Sequence, residues 1–594
     1  MKSKTNTAQE LSRIFHEFSY LFEMQGIAFK PRAYQLASES IDVLGDEVED
    51  AWRKGGIKSL KELPGIGQSI AEKIDEFIKT GKILEYERMK KQFPVDIWEL
   101  SHIEGLGPKH IADLFKFLKV KNLKDLKEAL SKHKVRTIPR WGEKSEEKLA
   151  KRLELMESAS GRWLLGNILP LADDIVASLS KIKGVNHCVY AGSLRRRQET
   201  IGDIDLIATT NDPERVMDAF ISLPMVQTVH ERGKTRSSVR LKIGIDADLR
   251  VVPDNVYGAT LQYFTGDKRH NVLLREFALS KRFTLSEYGL FHLSSSRKKS
   301  ESGPRSGKLI VCKTEEEIYK KLGMDTPPPE LRVGADEIDA ARGHRLPNLL
   351  PYGSVKGDLQ VQTDWTDGSA SIEDMVKAAK SYGLSYLAIT DHTKAMAFIN
   401  GLDDKRILKQ IQTIRILNKK LKDFRVLAGT ECDIHKDGTL DLKDETLAKL
   451  DWVGISIHSS FNLSRDEQTR RLVKAISNKY VDCVFHPTCR LIGKREPIDF
   501  NLDEVLAAAK KYNVAMEIDA FPERSDLRDL HVRAAIKAGV KLAIDTDAHA
   551  PEHLRFIPLG EAIARRGWAT KKDVLNTKNY KELMVFLNKK RTRG

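Results

Sequence analysis

Long hydrophobic runs are missing from this sequence: no stretch of about 18 apolar residues occurs, so a membrane-spanning helix is not expected. The polar N-terminus also lacks the apolar centre of a secretory signal peptide. Cysteine is scarce, with five residues in 594 and no zinc-finger spacing, so neither a disulfide framework nor a zinc finger is expected. These absences together predict a protein that stays in the cytoplasm.

An acidic surplus is also absent, because 99 lysine and arginine residues outnumber 84 acidic residues and give a formal net charge of +15. A basic surplus favours a polyanionic partner, since each cation placed on a phosphate releases condensed counterions. Hydrophobic residues make up 41% and charged residues 31%, as in globular enzymes. At roughly 100–200 residues per domain, the length predicts three or more compact units.

Two glycine turns recur in the first 150 residues, where apolar residues show the helical period. The segments 63–67 and 103–107 both contain G-x-G and both precede a helical stretch. Such a turn exposes backbone N–H groups at a helix N-terminus, which can hold a phosphate without reading the base. A simple turn is the alternative. With their matched flanks, the two copies resemble helix-hairpin-helix motifs, and this resemblance implies contacts with the DNA backbone through Gly65, Gly67, Gly105, Gly107 and Lys109. In a third copy, near 138–142, Arg140 replaces a glycine.

The central part of the chain changes to strand-like runs separated by helical stretches, which indicates a mixed α/β palm. Its motif residues are Gly192, Ser193, Arg196, Gly202, Asp203 and Asp205. Alternate residues of a strand face the same side, so Asp203 and Asp205 are expected about 6–7 Å apart on one face. Two such carboxylates seek cations, and a pair of Mg²⁺ ions about 3.5–4 Å apart would satisfy them while clamping an in-line displacement at phosphorus.

A third carboxylate is needed for the ion near the attacking hydroxyl. Asp248 lies on a later strand-like run with apolar neighbours, and the strand pattern favours it over Asp246. The turn at Gly192-Ser193 could bind triphosphate oxygens, with Arg196 assisting. A single D-x-D is usually a surface turn, but the combined pattern predicts nucleotidyl transfer.

These motifs resemble the family X DNA polymerases over residues 1 to about 318. The segment 63–82 is similar to the lyase domain of DNA polymerase beta, in which a lysine forms a Schiff base with a sugar aldehyde. The resemblance assigns that role to Lys73 and implies that Lys30 and Tyr34 bind a 5′-phosphate, while Ser69 replaces a basic neighbour. A lysine nucleophile needs a lowered pKa, which burial or nearby cations can supply.

The resemblance continues through the segment 263–266, which is similar to the nucleotide pocket of the family. It implies that an aromatic pair packs on the incoming sugar and excludes ribose, and that an asparagine and an arginine touch the minor-groove side of the new base pair. The residues implied are Tyr263, Phe264, Gly266, Asn271 and Arg275 in the pocket, and Thr235 and Arg236 near the primer strand. Without the resemblance, the aromatic pair would more often belong to a core.

Residues 353–575 alternate short strands with helices, a rhythm that indicates parallel strands with helical crossovers. Acidic residues and histidines follow successive strands, where α/β barrels place their chemistry. They are Asp367, His392, Glu431, His458, His486, Asp547 and His549. One histidine is most often structural, but a set of this size is not explained that way. Imidazole and carboxylate ligands suit Zn²⁺ or Mn²⁺, which could generate a hydroxide for phosphoester hydrolysis.

This region resembles the PHP domain of bacterial and archaeal X-family polymerases, a distorted (β/α)7 barrel with three metals and 3′→5′ exonuclease activity. The His-x-His of its first motif is replaced here by Gln360-Val361-Gln362. By analogy, the metal position that shares Glu431 and Asp547 loses two ligands. The remaining groups are Glu431 with His458 and His486, and Asp367 with His392 and His549. Because glutamine binds Zn²⁺ or Mn²⁺ poorly compared with imidazole, the sequence predicts a nuclease that is weakened, retuned or lost.

We therefore predict a multidomain α/β protein with helical N-terminal helix-hairpin-helix domains, a mixed α/β nucleotidyltransferase palm and a C-terminal distorted (β/α)7 PHP barrel. The three prolines at 327–329 favour an extended, semi-rigid spacer. The predicted segments are a lyase-like helical domain (1–85), a second helical DNA-binding domain (86–160), the palm (161–255), a nucleotide-selection subdomain (256–323), a linker (324–352), the PHP domain (353–575) and a basic tail (576–594).

The motifs together predict a DNA-directed DNA polymerase that fills short gaps in base excision repair, with an additional 5′-deoxyribose-phosphate or AP lyase activity. The expected cofactors are two Mg²⁺ ions at the palm and Zn²⁺ or Mn²⁺ in the barrel. The expected partners are gapped or nicked double-stranded DNA and dNTPs, bound by a nucleoid-associated monomer. Two alternatives are a non-catalytic DNA-binding scaffold, which has no need for clustered carboxylates, and a PHP phosphoesterase with a DNA-binding arm. Mg²⁺-dependent incorporation of dNTPs would discriminate between them.

Overall fold

The computed structural model describes most of the chain. The described residues are 7–27, 30–44, 47–63, 65–101, 103, 105–158, 161–293, 307–310, 313–396 and 399–591. Pro64 and Glu104 of the glycine turns, Cys312 and the last three residues of the predicted tail lie outside this description. Among the helices of these residues, none has the length and apolar character that a membrane crossing requires.

The N-terminal part is helical, as the apolar period predicts. Its helices are α1 (Thr7–Met24), α2 (Lys30–Leu44), α3 (Glu47–Leu60), α4 (Gln68–Thr80), α5 (Leu84–Gln92), α6 (Ile97–Ser101), α7 (Pro108–Leu118), α8 (Leu123–Ser131) and α9 (Glu143–Ser158). Helix α1 buries Leu11, Phe15, Phe18 and Phe22, whose spacing of three and four residues places them on one face. The same hydrophobic cluster continues to Leu153, so one core joins the two helical segments.

The palm is built around a five-stranded sheet with the order β2-β4-β7-β6-β5. The palm elements are β1 (Trp163–Leu164), α10 (Leu165–Ser180), β2 (Val185–Tyr190), α11 (Gly192–Arg195), β3 (Thr200–Ile201), β4 (Asp203–Thr210), α12 (Pro213–Ile221), β5 (Val226–Arg232), β6 (Arg236–Leu241) and β7 (Asp246–Val252). Strands β4 and β7 are parallel neighbours, whereas the other pairs of this sheet are antiparallel. Helices α10 and α12 supply apolar side chains to the core against the sheet.

The following subdomain packs three helices on a three-stranded antiparallel sheet with the order β10-β9-β8. Its elements are α13 (Tyr257–Thr265), α14 (Lys268–Ser280), β8 (Phe283–Ser286), β9 (Gly289–Leu293), β10 (Gly307–Ile310) and α15 (Glu315–Leu322).

The segment 324–352 does not run as the extended spacer that its prolines suggested. It contains helix α16 (Glu337–Arg342), and its Arg332 is fully buried in an ion pair with Glu315 of α15. The carboxylate of Glu337 is buried 2.8 Å from His270 Nδ1. Buried charges persist only when they are paired, so these two contacts hold the segment against the subdomain before it.

The C-terminal part is a nearly closed barrel of seven parallel strands in chain order. Its strands are β11 (Gly357–Val361), β12 (Tyr386–Ile389), β13 (Arg425–Asp433), β14 (Trp452–Ser456), β15 (Cys483–Val484), β16 (Ala515–Asp519) and β17 (Leu542–Asp545). Its helices are α17 (Ile372–Ser381), α18 (Asp404–Lys420), α19 (Asp444–Leu447), α20 (Arg465–Ile476), α21 (Leu502–Tyr512), α22 (Asp529–Ala538) and α23 (Ile557–Arg566). The backbone N–H of Gln362 donates to the Ala548 carbonyl at 2.8 Å and links the end of the first strand to the end of the last strand. The predicted fold class is confirmed.

The predicted basic tail is largely a helix, α24 (Tyr580–Arg591). Its Leu583 and Leu587, four residues apart, are buried in a cluster with Leu359 and Tyr386 at the barrel. Apolar residues at helical spacing therefore anchor this segment despite its basic composition.

Candidate active sites

The first candidate site lies at the palm sheet, where β4 and β7 run side by side. Their register sets Asp205 opposite Asp248 and Asp203 opposite Asp246. Burial and the charges of Asp203 and Asp248 raise the pKa of Asp205 to about 6. Partial burial and Asp248 likewise raise the pKa of Asp203. The structure therefore brings together the three carboxylates that the strand pattern favoured.

The alternative carboxylate, Asp246, has other partners. One of its oxygens lies 3.0 Å from Arg240 Nε and 3.3 Å from His230 Nε2. By contrast, Asp248 Oδ1 is buried with no hydrogen-bond partner among the described residues. Carboxylates with raised pKa values and an unsatisfied buried oxygen fit divalent cations, for which hard oxygen ligands are suited.

Gly192 allows the turn before α11 to approach the carboxylates closely. Its φ of +56° lies in the left-handed region, and a Cβ at this position would collide with Asp205 Oδ2. Ser193 follows within α11. The glycine of the Gly-Ser motif is therefore required both by its backbone conformation and by the neighbouring Asp205.

The predicted nucleotide-pocket residues surround the end of α13. The Arg196 guanidinium donates to the Thr265 carbonyl, next to Gly266, whose φ is +68°. The rings of Tyr263 and Phe264 meet edge to face with centroids 5.2 Å apart.

Backbone and side-chain bonds fix the polar members of this pocket. Asn271 donates to the Tyr263 carbonyl at 2.7 Å and accepts from Gln262 at 2.8 Å. Arg275 Nε donates to the Asn271 carbonyl at 3.2 Å. Arg236, expected near the primer strand beside Thr235, lies 3.8 Å from Asp248 Oδ2.

Sequence reasoning missed two arginines at this site. Arg250 stacks on the Phe264 ring at 4.5 Å from its centroid and lowers the pKa of Asp205 against the larger effect of burial. It stands two residues after Asp248 on the same strand, so the alternation rule could have found it. Arg162 donates to Thr200 Oγ1 at 2.8 Å and opposes the raised pKa of Asp203, but no local pattern announces it.

The candidate lyase residues Lys73 and Tyr34 lie close together in the N-terminal domain, on either side of Ser69. Lys73 Nζ lies 2.8 Å from Glu85 Oε2 and 3.4 Å from Ser69 Oγ, and the buried Tyr34 hydroxyl lies 3.4 Å from Ser69 Oγ. Burial alone lowers the pKa of Lys73, but hydrogen bonds to Glu85 and Tyr34 raise it above its usual value. This arrangement therefore does not supply the lowered pKa that a lysine nucleophile needs, because the acidic side chain of Glu85 pairs with the amine.

Lys30, the other implied phosphate contact, is exposed, and its Nζ lies 4.8 Å above the Phe22 ring.

The glycine turns have the geometry that phosphate binding needs. Gly65 and Gly105 have φ values of +71° and +80°, while Gly67 and Gly107 are N-caps of α4 and α7 without a side-chain cap. The first N–H groups of both helices therefore remain free of capping side chains. Lys109 is exposed at the start of α7. In the third copy Arg140 itself has a φ of +72°, so it occupies the glycine conformation.

The second candidate site is a cluster of acidic and histidine side chains at the carboxyl ends of the barrel strands. His549 Nε2 lies 3.5 Å from Asp367 Oδ2, and His392 Nε2 lies 3.8 Å from Asp367 Oδ1. These three side chains form one group whose ligand atoms are close enough to hold an ion.

Glu431 is the centre of the other half of this cluster. Its Oε1 lies 3.2 Å from His458 Nε2 and 2.8 Å from His486 Nε2. His392 Nδ1 also lies 3.5 Å from Glu431 Oε2, and His392, Glu431 and His458 form a second ion-sized group. Because a neutral imidazole offers one lone pair, His392 can serve only one of the two groups at a time.

The electrostatics of the cluster fit bound cations. Burial alone lowers the pKa of His549, but Asp547 and Asp367 raise it to about 10. Burial opposes ionisation of Asp367, yet His549 and His392 hold its pKa at about 2. Asp367 Oδ1 and His392 Nδ1 are buried without a hydrogen-bond partner in the described part of the chain. When bound, Zn²⁺ or Mn²⁺ would supply the positive charge and a Lewis acid.

Protein donors take the place of a third cation. The amide groups of Gln360 and Gln362 point at Glu431 Oε2, at 3.1 and 2.7 Å. Arg524 Nε lies 3.1 Å from Asp547 Oδ2 and 3.3 Å from Asp519 Oδ2. The residues present therefore do not fit a third ion between Glu431 and Asp547.

Sequence reasoning missed Asp519 and Arg524. Asp519 ends β16 as the other candidates end their strands, so the same rule could have found it.

The fold and the two carboxylate-rich sites define the class of protein: a metal-dependent nucleotidyltransferase joined to a metal-hydrolase barrel. Family profiles match the helix-hairpin-helix domain at 6–83, the DNA polymerase beta thumb at 260–333 and the PHP domain at 358–522. The chain is 35% identical to the DNA polymerase/3′-5′ exonuclease PolX of Bacillus subtilis (strain 168), over 98% of this chain and 99% of that protein. The chain therefore belongs to the family X DNA polymerases with a PHP domain, and it is a DNA polymerase.

Other relatives match single parts of the chain. DNA polymerase lambda of Arabidopsis thaliana is 24% identical over 54% of this chain and 62% of its own length. A probable phosphatase of Thermoanaerobacter sp. (strain X514) is 29% identical over 38% of this chain and 91% of its own length.

Proposed function

We propose that this polymerase fills short gaps in double-stranded DNA during base excision repair, as a monomer on nucleoid DNA in the cytoplasm. Asp203, Asp205 and Asp248 are its metal ligands, and the observation that carries this assignment is the clustering of the three carboxylates on the neighbouring strands β4 and β7, where Asp248 Oδ1 is buried without a hydrogen-bond partner among the described residues. Two Mg²⁺ ions at these oxygens would neutralise charge on the transferred phosphoryl group and orient it.

The chain's own side chains bind and orient the dNTP. Gly192, Ser193, Gly202 and Arg196 form the polar wall around the triphosphate. Tyr263 and Phe264 pack on its sugar, and Asn271 is already fixed by two hydrogen bonds, so little entropy is lost when it meets the new base pair.

The helical domains hold DNA through backbone contacts. Gly65, Gly67, Gly105 and Gly107 offer helix N-termini to phosphates, and Lys109 adds a positive charge. Thr235 and Arg236 lie along the primer strand. These contacts are independent of base sequence, as gap filling at arbitrary sites requires.

The gap-filling role predicts a preference for a 5′-phosphate at the downstream side of a one-nucleotide gap. Lys30→Ala is expected to remove this preference, about tenfold in kcat/KM, because it deletes a charge-assisted phosphate contact. Extension of an open template should not change. Lys79→Ala, on an exposed lysine paired with Asp75, is the matched control. Equal extension of phosphorylated and unphosphorylated gaps by the wild type would overturn the role.

We also propose that Lys73 is the nucleophile of a 5′-deoxyribose-phosphate or AP lyase. Lys73→Ala is expected to prevent borohydride trapping on an abasic substrate, whereas Lys79→Ala should trap normally. Unchanged trapping by Lys73→Ala would assign the Schiff base to another lysine.

Glu85→Gln is expected to increase trapping at neutral pH. Glu85 raises the pKa of Lys73, so its removal lowers that pKa and enlarges the fraction of unprotonated amine, which is the nucleophile. The pH profile of trapping should move to lower pH. A lower rate without such a move would show that Glu85 has another role in the reaction.

For the barrel we propose a two-ion Mn²⁺ or Zn²⁺ centre that slowly hydrolyses phosphodiesters at DNA 3′ ends. One ion is held by Asp367, His392 and His549, and the other by Glu431 with His458 and His486. Two divalent ions suffice to clamp an in-line displacement at phosphorus, but the missing third position lowers the rate.

A further inference from the structure

A bidentate ion pair joins the palm to the barrel between the two candidate sites. Arg490 of the barrel donates to both carboxylate oxygens of Glu199, at 3.1 and 2.7 Å. Arg566, at the end of α23, lies 3.4 Å from the same carboxylate and donates to the Arg197 carbonyl. The Arg566 side chain is 1% exposed and that of Arg490 is 11% exposed. A pair so buried is screened far less by water and salt than a surface pair.

On the palm side, Glu199 stands four residues before Asp203. The Glu199 carbonyl accepts from the Leu165 amide at 3.0 Å, and the following strand β3 pairs with β1. Arg162 donates to both the hydroxyl and the carbonyl of Thr200, at 2.8 and 2.7 Å. The segment from Glu199 to Asp203 is therefore held from two sides, and a displacement of Glu199 would be transmitted to Asp203.

On the barrel side, Arg490 lies in the loop that follows His486. Arg490 Nε donates to the Arg524 carbonyl at 3.0 Å, and its terminal amino group donates to the Ser525 carbonyl. Arg524 in turn carries the guanidinium beside Asp547. The arginine that holds Glu199 is thus part of the loops that form the barrel cluster.

Close packing surrounds this ion pair. A Cβ at Gly166 of α10 would collide with Pro522 of the barrel, and Leu559 of α23 is buried in the palm core. Because interiors so packed resist sliding, the two domains hold one relative position at this contact.

The palm site needs such support. Asp203, Asp205 and Asp248 are like charges on two neighbouring strands, so they repel one another. Asp203 is the first residue of its strand, directly after Gly202, and is exposed. A rigid anchor upstream keeps this carboxylate in place against the repulsion, so that less reorganisation is needed when cations bind.

We infer that Arg490 and Arg566 are positioning residues for DNA synthesis: through Glu199, the PHP barrel holds the segment that carries Asp203. The barrel then serves the polymerase whether or not it hydrolyses DNA. This inference rests on the proposed role of Asp203 as a metal ligand.

The test compares variants of two arginines of the same barrel in the full chain. Arg490→Met is expected to lower kcat/KM for single-nucleotide insertion about tenfold, the order of effect of a misplaced catalytic group. The Mg²⁺ concentration for half-maximal rate should also rise. Arg490→Lys keeps the positive charge but loses the two-pronged guanidinium, so its kcat/KM and Mg²⁺ requirement should lie between those of the wild type and Arg490→Met. Arg415→Met is the matched control, because Arg415 also makes a bidentate pair, at 2.5 and 2.8 Å, with Asp451 away from the palm.

A binding measurement separates positioning from turnover. On DNA with a dideoxy-terminated primer, Arg490→Met should bind Mg²⁺·dNTP more weakly than wild type and Arg415→Met. Thermal unfolding checks that Arg490→Met and Arg415→Met fold. If Arg490→Met does not fold, Arg490→Lys replaces it as the milder change.

Three outcomes overturn the inference: unchanged insertion by Arg490→Met, equal losses in Arg490→Met and Arg415→Met, or a lower rate with unaltered Mg²⁺ dependence and dNTP binding. Failure of the proposed polymerase site is distinguishable, because Asp203→Asn would then still extend primers.

Discussion

Asp205→Asn is expected to abolish extension of a gapped primer, lowering its rate by about 10³-fold or more. Removing one preorganised electrostatic partner of a reacting phosphoryl group commonly costs about 10²–10³-fold, and loss of a shared metal ligand affects both ions. The variant also relieves repulsion from Asp203 and Asp248, so the fold should be retained or slightly more stable. Single-turnover insertion of one dNTP measures the effect.

Asp246→Asn is the control for this experiment, because Asp246 is two residues from Asp248 but pairs with Arg240 and His230. It should keep most of the activity. Full extension by Asp205→Asn, or loss of extension in Asp246→Asn alone, would contradict the assignment of the palm carboxylates.

We expect the barrel to bind two Mn²⁺ ions per chain, and the variant Gln360→His/Gln362→His to bind a third. In the native chain both amide groups donate to Glu431 Oε2, whereas imidazoles present lone pairs to a cation at the same place. Metal analysis after dialysis, in an Asp203→Asn/Asp205→Asn background that removes the palm ions, counts the difference directly. Removal of 3′ nucleotides should rise about 10–100-fold in the double variant, the range typical of restored metal affinity.

His549→Ala in the same background should reduce the count by one, which shows that the ions lie in the barrel. If the native chain already binds three ions, the side chains of Gln360, Gln362 and Arg524 do not take the place of a third ion, and this part of the account is wrong. Retention of only two by the histidine variant would show that Arg524 beside Asp547 still excludes a cation.

Local patterns were enough to predict much of the fold and most members of the two clusters. The strand pattern and the family resemblance together favoured Asp248 over Asp246, and the structure places Asp248 opposite Asp205. Barrel enzymes place their functional residues at the carboxyl ends of the strands, and this rule predicted Asp367, Glu431 and His549 as site residues. In the structure these three residues lie within one cluster. These inferences were within reach of the sequence because they depend on spacing along a single strand or on the order of strands.

What could not be predicted depends on contacts between distant segments. The prolines at 327–329 suggested a spacer, but Arg332 and Glu337 find buried partners on helices α14 and α15 and fold the segment back. The pKa of Lys73 is raised because Glu85 of α5 pairs with it, and no sequence pattern within α4, the helix of Lys73, predicts this partner. The contact of Arg490 with Glu199 spans 291 residues of chain and follows from domain packing alone.

One labelling experiment tests whether this chain has two separate metal centres, one for DNA synthesis and one for DNA hydrolysis. A 5′-labelled primer on template DNA is incubated with Mn²⁺, with and without dNTPs, and with wild type, Asp205→Asn or His549→Ala. Without dNTPs, wild type and Asp205→Asn should slowly shorten the primer, whereas His549→Ala should leave it intact. With dNTPs, wild type and His549→Ala should extend the primer, whereas Asp205→Asn should not. If Asp205→Asn loses both activities, or if His549→Ala shortens the primer as wild type does, the assignment of synthesis to the palm and hydrolysis to the barrel is wrong.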